Sequence, residues 1–211
     1  MSLHQTILHD SKTEILVWKI SETLDQLLTE VKLNESSNAR LGGMKSVAHQ
    51  KGFLSVRKLL QERGYTDFDL YYDQFGKPHL YDGRHISISH SHDFSAIILS
   101  DKNCGIDLEM QREKIMTIAH KFADEESKFL HEQNQDDYIR QLTIIWGAKE
   151  AVFKIRNEVG ISFKDHIHLN RFTLEGKVAS AILKFASLEV NYNIFFEEVE
   201  NFTLVYAFEK Q

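Results

Sequence analysis

The chain has 211 residues, with 25 Lys and Arg against 31 Asp and Glu, a formal net charge of −6. A single cysteine excludes an internal disulfide framework, and a net negative chain makes a poor general ligand for nucleic acid, whose phosphates require a positive surface. Hydrophobic residues at 42% and charged residues at 27% describe a folded globular chain, long enough for one large domain or two small ones.

The start, Met1-Ser2-Leu3-His4-Gln5, lacks the basic-then-apolar order of a targeting signal. No apolar run approaches the ~20 residues that span a bilayer. The expectation is a cytoplasmic protein without membrane contact. Residues 15–20 read as a strand. Ser21 is placed to cap a helix through about residue 33, with Leu24, Leu27, Leu28 and Val31 on one stripe. A second helix is predicted over 44–63, where Phe53, Val56 and Leu60 recur at helical spacing and Gly64 stops it. Residues 44–64 hold five basic side chains (Lys45, Lys51, Arg57, Lys58, Arg63) against one acid, Glu62. A turn at Gly76 follows, then Pro78, the only proline.

Strands are predicted over 85–89, 94–100 and 103–110, helices over about 115–132 and 136–157. Hairpins close the chain: 167–174 with 177–184, and 192–199 with 202–208. Helices mixed with hairpins predict an α+β fold rather than a doubly wound parallel sheet. Each half runs helices and then paired strands. This outline suggests an N-terminal half, 1–101, and a C-terminal half, 102–211.

Four segments could carry chemistry. In Gly105-Ile106-Asp107-Leu108-Glu109, alternation puts both carboxylates on one strand face. Two readings stay open: a solvent-facing edge strand, or oxygen ligands for a hard cation such as Mg²⁺ or Mn²⁺. In Trp146-Gly147-Ala148-Lys149-Glu150-Ala151-Val152-Phe153-Lys154, residues 146, 150 and 154 fall along one helical stripe. Glu150 and Lys154 could be a surface ion pair, although the tryptophan argues for a partly buried face. Finally, Gly76-Lys77-Pro78 presents a cation on a rigid turn, and Ile88-Ser89-His90-Ser91 places hydroxyls and an imidazole at a strand end, where they can donate to phosphate.

In this order and spacing, these four motifs resemble the Sfp-type 4'-phosphopantetheinyl transferases. The resemblance implies two similar α/β halves in pseudo-two-fold arrangement, with coenzyme A between them. It implies transfer of the 4'-phosphopantetheine arm of coenzyme A to a serine of an apo carrier protein, releasing 3',5'-ADP. By matching motifs, Asp107, Glu109 and Glu150 would hold Mg²⁺, with Mn²⁺ an alternative. Lys154 and Lys149 would face phosphates, and Glu150 would be the general base. Lys77, Pro78, Ser89 and His90 would lie along coenzyme A, and Lys45 would take its 3'-phosphate. The partner would be an acidic acyl or peptidyl carrier protein, and the enzyme a monomer. Two departures stand out: Ser87 occupies the place of a frequent asparagine, and the helix over 44–60 has no match for an early arginine.

Two other readings compete. His90/His92 and His166/His168 are His-x-His pairs, which on a strand could chelate zinc for a hydrolase. A non-catalytic module could bind acidic carrier proteins through the basic helix. Cys104 reads as a small buried hydrophobe rather than a nucleophile.

Overall fold

A computed structural model describes residues 3–130 and 134–210. The chain divides between Lys102 and Asn103 into two compact units, and the fold is mixed α+β. The first unit contains β1 (Leu3–Leu8), β2 (Glu14–Lys19), α1 (Leu24–Glu30), α2 (Glu35–Gly42), α3 (Val47–Gln61), β3 (Leu70–Tyr72), β4 (Pro78–Leu80), β5 (His85–Ser91) and β6 (Phe94–Ser100). The second contains β7 (Cys104–Met110), α4 (Lys114–Ile118), 3-10 turns at Ala119–Lys121 and Glu125–Lys128, α5 (Gln135–Arg156), α6 (Phe163–His166), β8 (Ile167–Leu169), β9 (Val178–Phe185), β10 (Leu188–Val199) and β11 (Phe202–Glu209).

In the first unit an antiparallel sheet, ordered β1-β2-β6-β5, packs against α3. Leu16 and Trp18 of β2, Ile97 and Leu99 of β6 and Ile86 of β5 meet Phe53, Val56, Leu59 and Leu60 of the helix. Period two on the strands and period 3.6 on the helix bring these apolar faces together. Ser46 caps α3, and Gly64 leaves the helix at φ +76, a conformation that disfavours any residue with a Cβ. Arg57 is 2% exposed. Its Nε donates to Asp67 Oδ1 at 2.8 Å, and its guanidinium lies 3.5 Å from the centre of the Phe53 ring. Asp67 also accepts from Asn34 N and Ser37 Oγ, so one buried ion pair joins α2, α3 and the following loop.

That arrangement changes the reading of the basic segment. Arg57 is internal, Lys58 pairs with Glu30 at 3.0 Å and Arg63 with Glu14 at 2.7 Å. Three of its five cations thus serve contacts within the unit, and Lys45 and Lys51 remain as its outward charges.

The second unit is a five-stranded antiparallel sheet, β7-β11-β10-β9-β8, crossed by α5. Tyr192, Ile194 and Phe196 alternate along β10 into a core shared with Leu142, Ile145, Ala148 and Val152 of the helix. Asn134 caps α5 by accepting from Asp136 N and Asp137 N, and Asn157 ends it in the left-handed region.

The helix predicted over 115–132 is mostly absent: α4 spans five residues, and two 3-10 turns follow. In a continuous helix the Phe122 carbonyl would accept from the amide of residue 126. Here it accepts from the Lys149 ammonium. The end of that predicted helix, 131–132, lies outside the described residues. β8 is also shorter than its hairpin predicted. Pairing with β9 runs only from Ile167↔Leu183 to Leu169↔Ala181, and Phe172 and Leu174 then turn onto the core.

Candidate functional site

The acidic strand is laid under the long helix. β7 is an edge strand, yet Asp107 is only 4% exposed. It shares a sheet face with its cross-strand partner Val205, which belongs to the core beneath α5. The solvent-facing reading therefore fails for Asp107, because α5 covers that face.

Two glycines permit the approach. A Cβ on Gly105 would stand 1.9 Å from the Ala151 carbonyl oxygen, so β7 and α5 meet there backbone to backbone. A Cβ on Gly147 would stand 2.8 Å from Val205 Cγ2 and 3.6 Å from Asp107 Oδ2. Lys154 then reaches β7: its Nζ donates to the Ile106 carbonyl and to Asp107 Oδ1, both at 2.8 Å.

Glu150 lies one turn before Lys154 on the helix. Its carboxyl is pushed up to about 7, first by burial and next by the negative charge of Asp107. Glu109 adds to the rise and Lys154 opposes it. The three expected carboxylates therefore feel one another. An all-oxygen donor set suits Mg²⁺ or Mn²⁺, and a cation would relieve the repulsion that holds a proton on Glu150. The donor chemistry fits such an ion. The side chains are not gathered into ligand geometry: among the described residues no three His, Cys, Asp or Glu converge on a metal position. The positive charge beside Asp107 is Lys154.

Lys149 does not face a phosphate. Its ammonium is 0% exposed and donates to Phe122 O at 2.6 Å and Phe163 O at 3.0 Å, with Glu126 Oε1 at 2.8 Å. Its three hydrogens have three internal acceptors. Burial holds this lysine below its usual range, while Glu126 pulls the other way. Lys149 is 100° round the helix from Glu150, and that rotation takes it into the core.

In the first unit, Gly76 (φ +83) and Asp73 build the turn that presents Lys77 and Pro78. Asp73 Oδ1 accepts from Lys77 N at 3.0 Å, and Asp73 N donates to Lys77 O at 3.0 Å. Pro78 opens β4 in a two-stranded ribbon, where a missing N–H is tolerated. Burial, then the charges of Lys77 and His79, lower His85. Replacing Pro78 by Ala is expected to raise the KM for coenzyme A several-fold, with a smaller effect on thermal stability. A large stability loss with unchanged KM would make Pro78 purely structural.

Ser89 and His90 are neighbours on β5 and point to opposite faces. His90, opposite Ser95, lies on the face that carries α3, and a Cβ on Gly52 of α3 would stand 2.9 Å from its Nδ1. The His49 ring is 6.2 Å from the His90 ring. Ser89 is 8% exposed on the other face. Lys45 precedes the α3 cap and is exposed. Sequence reasoning missed Gly52 as the residue that admits His90. The only available signal was a glycine inside a helical pattern.

The zinc reading loses its geometry. His92 sits in the turn after β5, at φ 51, and His166 ends α6 while His168 is on β8. Neither pair occupies alternate positions of one strand. Cys104 is 1% exposed, as a buried hydrophobe should be.

Residues 103–204 match the model of the 4'-phosphopantetheinyl transferase superfamily. The chain carries a domain of that superfamily. The matched stretch contains β7, α5, the carboxylates 107, 109 and 150, and Lys154. The match covers the second unit and supports chemistry of the 4'-phosphopantetheinyl transferase type for that domain. No curated protein matches the chain at a significant level. Lys45, Lys77, Pro78, Ser89 and His90 fall before the matched stretch, in the first unit. No helix among the described residues is long and apolar enough to cross a membrane.

Proposed function

We propose that this phosphopantetheinyl transferase is of the Sfp type and modifies an apo acyl or peptidyl carrier protein. A serine hydroxyl of the carrier attacks the phosphorus of the pantetheine arm. The new O–P bond replaces the P–O bond to the adjacent phosphate, and 3',5'-ADP departs. The observation that carries this reading is the coupled cluster on the second unit: Glu150 raised to about 7, with Asp107 and Glu109 among the causes and Lys154 at 2.8 Å from Asp107.

Phosphoryl transfer depends on position and charge neutralisation more than on covalent help from protein. Glu150, poised near neutrality, is suited to take the serine proton. Lys154, tethered by the Ile106 carbonyl and Asp107, is suited to neutralise the departing phosphate oxygen or to give it a proton. Asp107, Glu109 and Glu150 would hold Mg²⁺, whose contribution when bound is to offset charge on the pyrophosphate oxygens. Lys45, Lys77 with Pro78, Ser89 and His90 are assigned to coenzyme A. The N-terminal half then supplies coenzyme A contacts and the C-terminal half the metal site, in a monomeric cytoplasmic enzyme.

The test is mass spectrometry of apo carrier proteins incubated with the enzyme, Mg²⁺ and coenzyme A. The expected result is a gain of about 340 Da on one serine, the mass of the arm that coenzyme A carries. No gain on any of several carriers, with the carriers still bound, would favour the non-catalytic binding module.

A further inference from the structure

Lys149 and Glu126 form an ion pair, 0% exposed on both sides, that the chemistry above does not use. Besides Lys149, Glu126 accepts from Leu169 N at 2.8 Å and Asp124 N at 3.2 Å. Lys149 in turn holds the carbonyls of Phe122 and Phe163. One helical side chain thus joins α5 to the 3-10 segment and to α6, while its partner reaches the end of β8.

Ile115, Met116, Ile118, Ala119, Ala123 and Leu130 of the connection between β7 and α5 pack on the core only partly buried. Neither α4 nor the first 3-10 turn contains a buried residue. Among its described residues Phe122 and Glu126 are the two that are 0% exposed, and Lys149 grips one by its carbonyl and the other by its carboxylate. The Phe122 ring also meets Trp146 edge-on at 5.2 Å. Ile115 and Ile118 of this connection line a groove of about 190 Å³ together with Trp146, Met110 and Glu109. The pair satisfies four backbone groups, two carbonyls and two amides, from the 3-10 connection, α6 and β8 around α5.

We propose that Lys149 and Glu126 are positioning residues for transfer. Together they seat residues 119–128 on α5, and this segment directly follows Ile115 and Ile118, which line the groove that reaches Glu109. This rests on the transferase reading above.

The double variant K149M/E126L removes both charges at once, so no lone buried charge remains to unfold the protein. Phe122 O, Phe163 O, Leu169 N and Asp124 N lose this partner, so its thermal midpoint should fall. Its kcat for arm transfer should fall about 10- to 100-fold, the loss typical of a disturbed outer shell. Amides of residues 119–129 should exchange with deuterium faster, while those of β10 and β11 should not change. Wild-type kcat in the folded variant overturns the proposal, and so does unchanged exchange in 119–129. If the double variant fails to fold, Glu126→Gln is read by the same two measurements. The exchange measurement needs no substrate. If the wild-type enzyme transfers nothing, faster exchange in the variant still supports the clamp, and the failure falls on the transferase reading alone.

Discussion

Gly105→Ala should cripple this enzyme although it adds only a methyl group. The new Cβ would lie 1.9 Å from the Ala151 carbonyl oxygen, and the obstacle is helix backbone, which cannot rotate away as a side chain can. α5 would have to lift off β7. Overpacking of this kind costs about 3 kcal/mol, which for a chain of this length lowers the thermal midpoint by roughly 6–12 °C. The functional loss should be larger than the stability loss implies. Lys154 reaches Asp107 and the Ile106 carbonyl only because the helix lies on the strand. A displacement of about 1 Å at a reacting group can cost on the order of 100-fold in rate. The expected result is therefore a folded variant with kcat/KM down about 100-fold. Gly42→Ala is the control, since nothing lies within 4 Å of a Cβ there. Wild-type activity in Gly105→Ala would show that the contact between β7 and α5 is not what assembles the site.

Glu150→Gln should lose transfer and gain stability, with the gain confined to neutral and alkaline pH. The folded-state value of about 7 lies above the ordinary 4.5. The folded protein therefore holds this proton more tightly than the unfolded chain does. The associated stability is fully present below about 4.5 and is lost as pH rises through about 7. A shift of this size corresponds to about 3 kcal/mol. Burial is its first cause and Asp107 its second, so the glutamine, which cannot ionise, escapes both. With a chelator present at pH 8, the variant should melt roughly 5–10 °C above wild type. At pH 4.5 the two should coincide. Mg²⁺ should raise the wild-type midpoint at pH 8 more than that of the variant. Transfer should fall about 100-fold or more, as expected when a general base is removed. A variant that binds metal and transfers at near wild-type rate would remove Glu150 from the role of base. A melting curve at pH 8 identical to wild type would mean that ionised Glu150 is not held in a buried, repulsive place.

Much of the fold follows from local pattern. Alternation placed β5 and β7, and short apolar runs placed β6 and β11, within a residue or two, while the 3.6 period placed α3 and α5. The predictions failed where a long-range partner overrode local preference. The stretch over 115–132 has helical composition, but Phe122 and Glu126 are drawn into the core by Lys149, sequence positions away and invisible to any window. α2 went unpredicted because its anchors are distant in sequence: Ser37 donates to the Asp67 carboxylate thirty residues downstream, and Leu41 is its single buried apolar residue. Within the site, motif order was legible and side-chain direction was not. Lys149 and Glu150 are adjacent in sequence and equally polar, yet one is fully buried against Glu126 and the other half-buried near Asp107.

The sequence by itself determined that this is an α+β chain with one acidic strand, one Trp-x-x-Lys-Glu helix and a rigid Gly-Lys-Pro turn, because residue type, spacing and charge are local properties. It could even single out Gly105 as part of a motif. What that glycine does was decided by the tertiary structure. Only there does the missing Cβ let two backbones touch, and only that contact puts Lys154 on Asp107 and raises Glu150. The same packing sent Lys149 inward to Glu126, since a helix that lays one face on a strand must turn the residue 100° away into its own core.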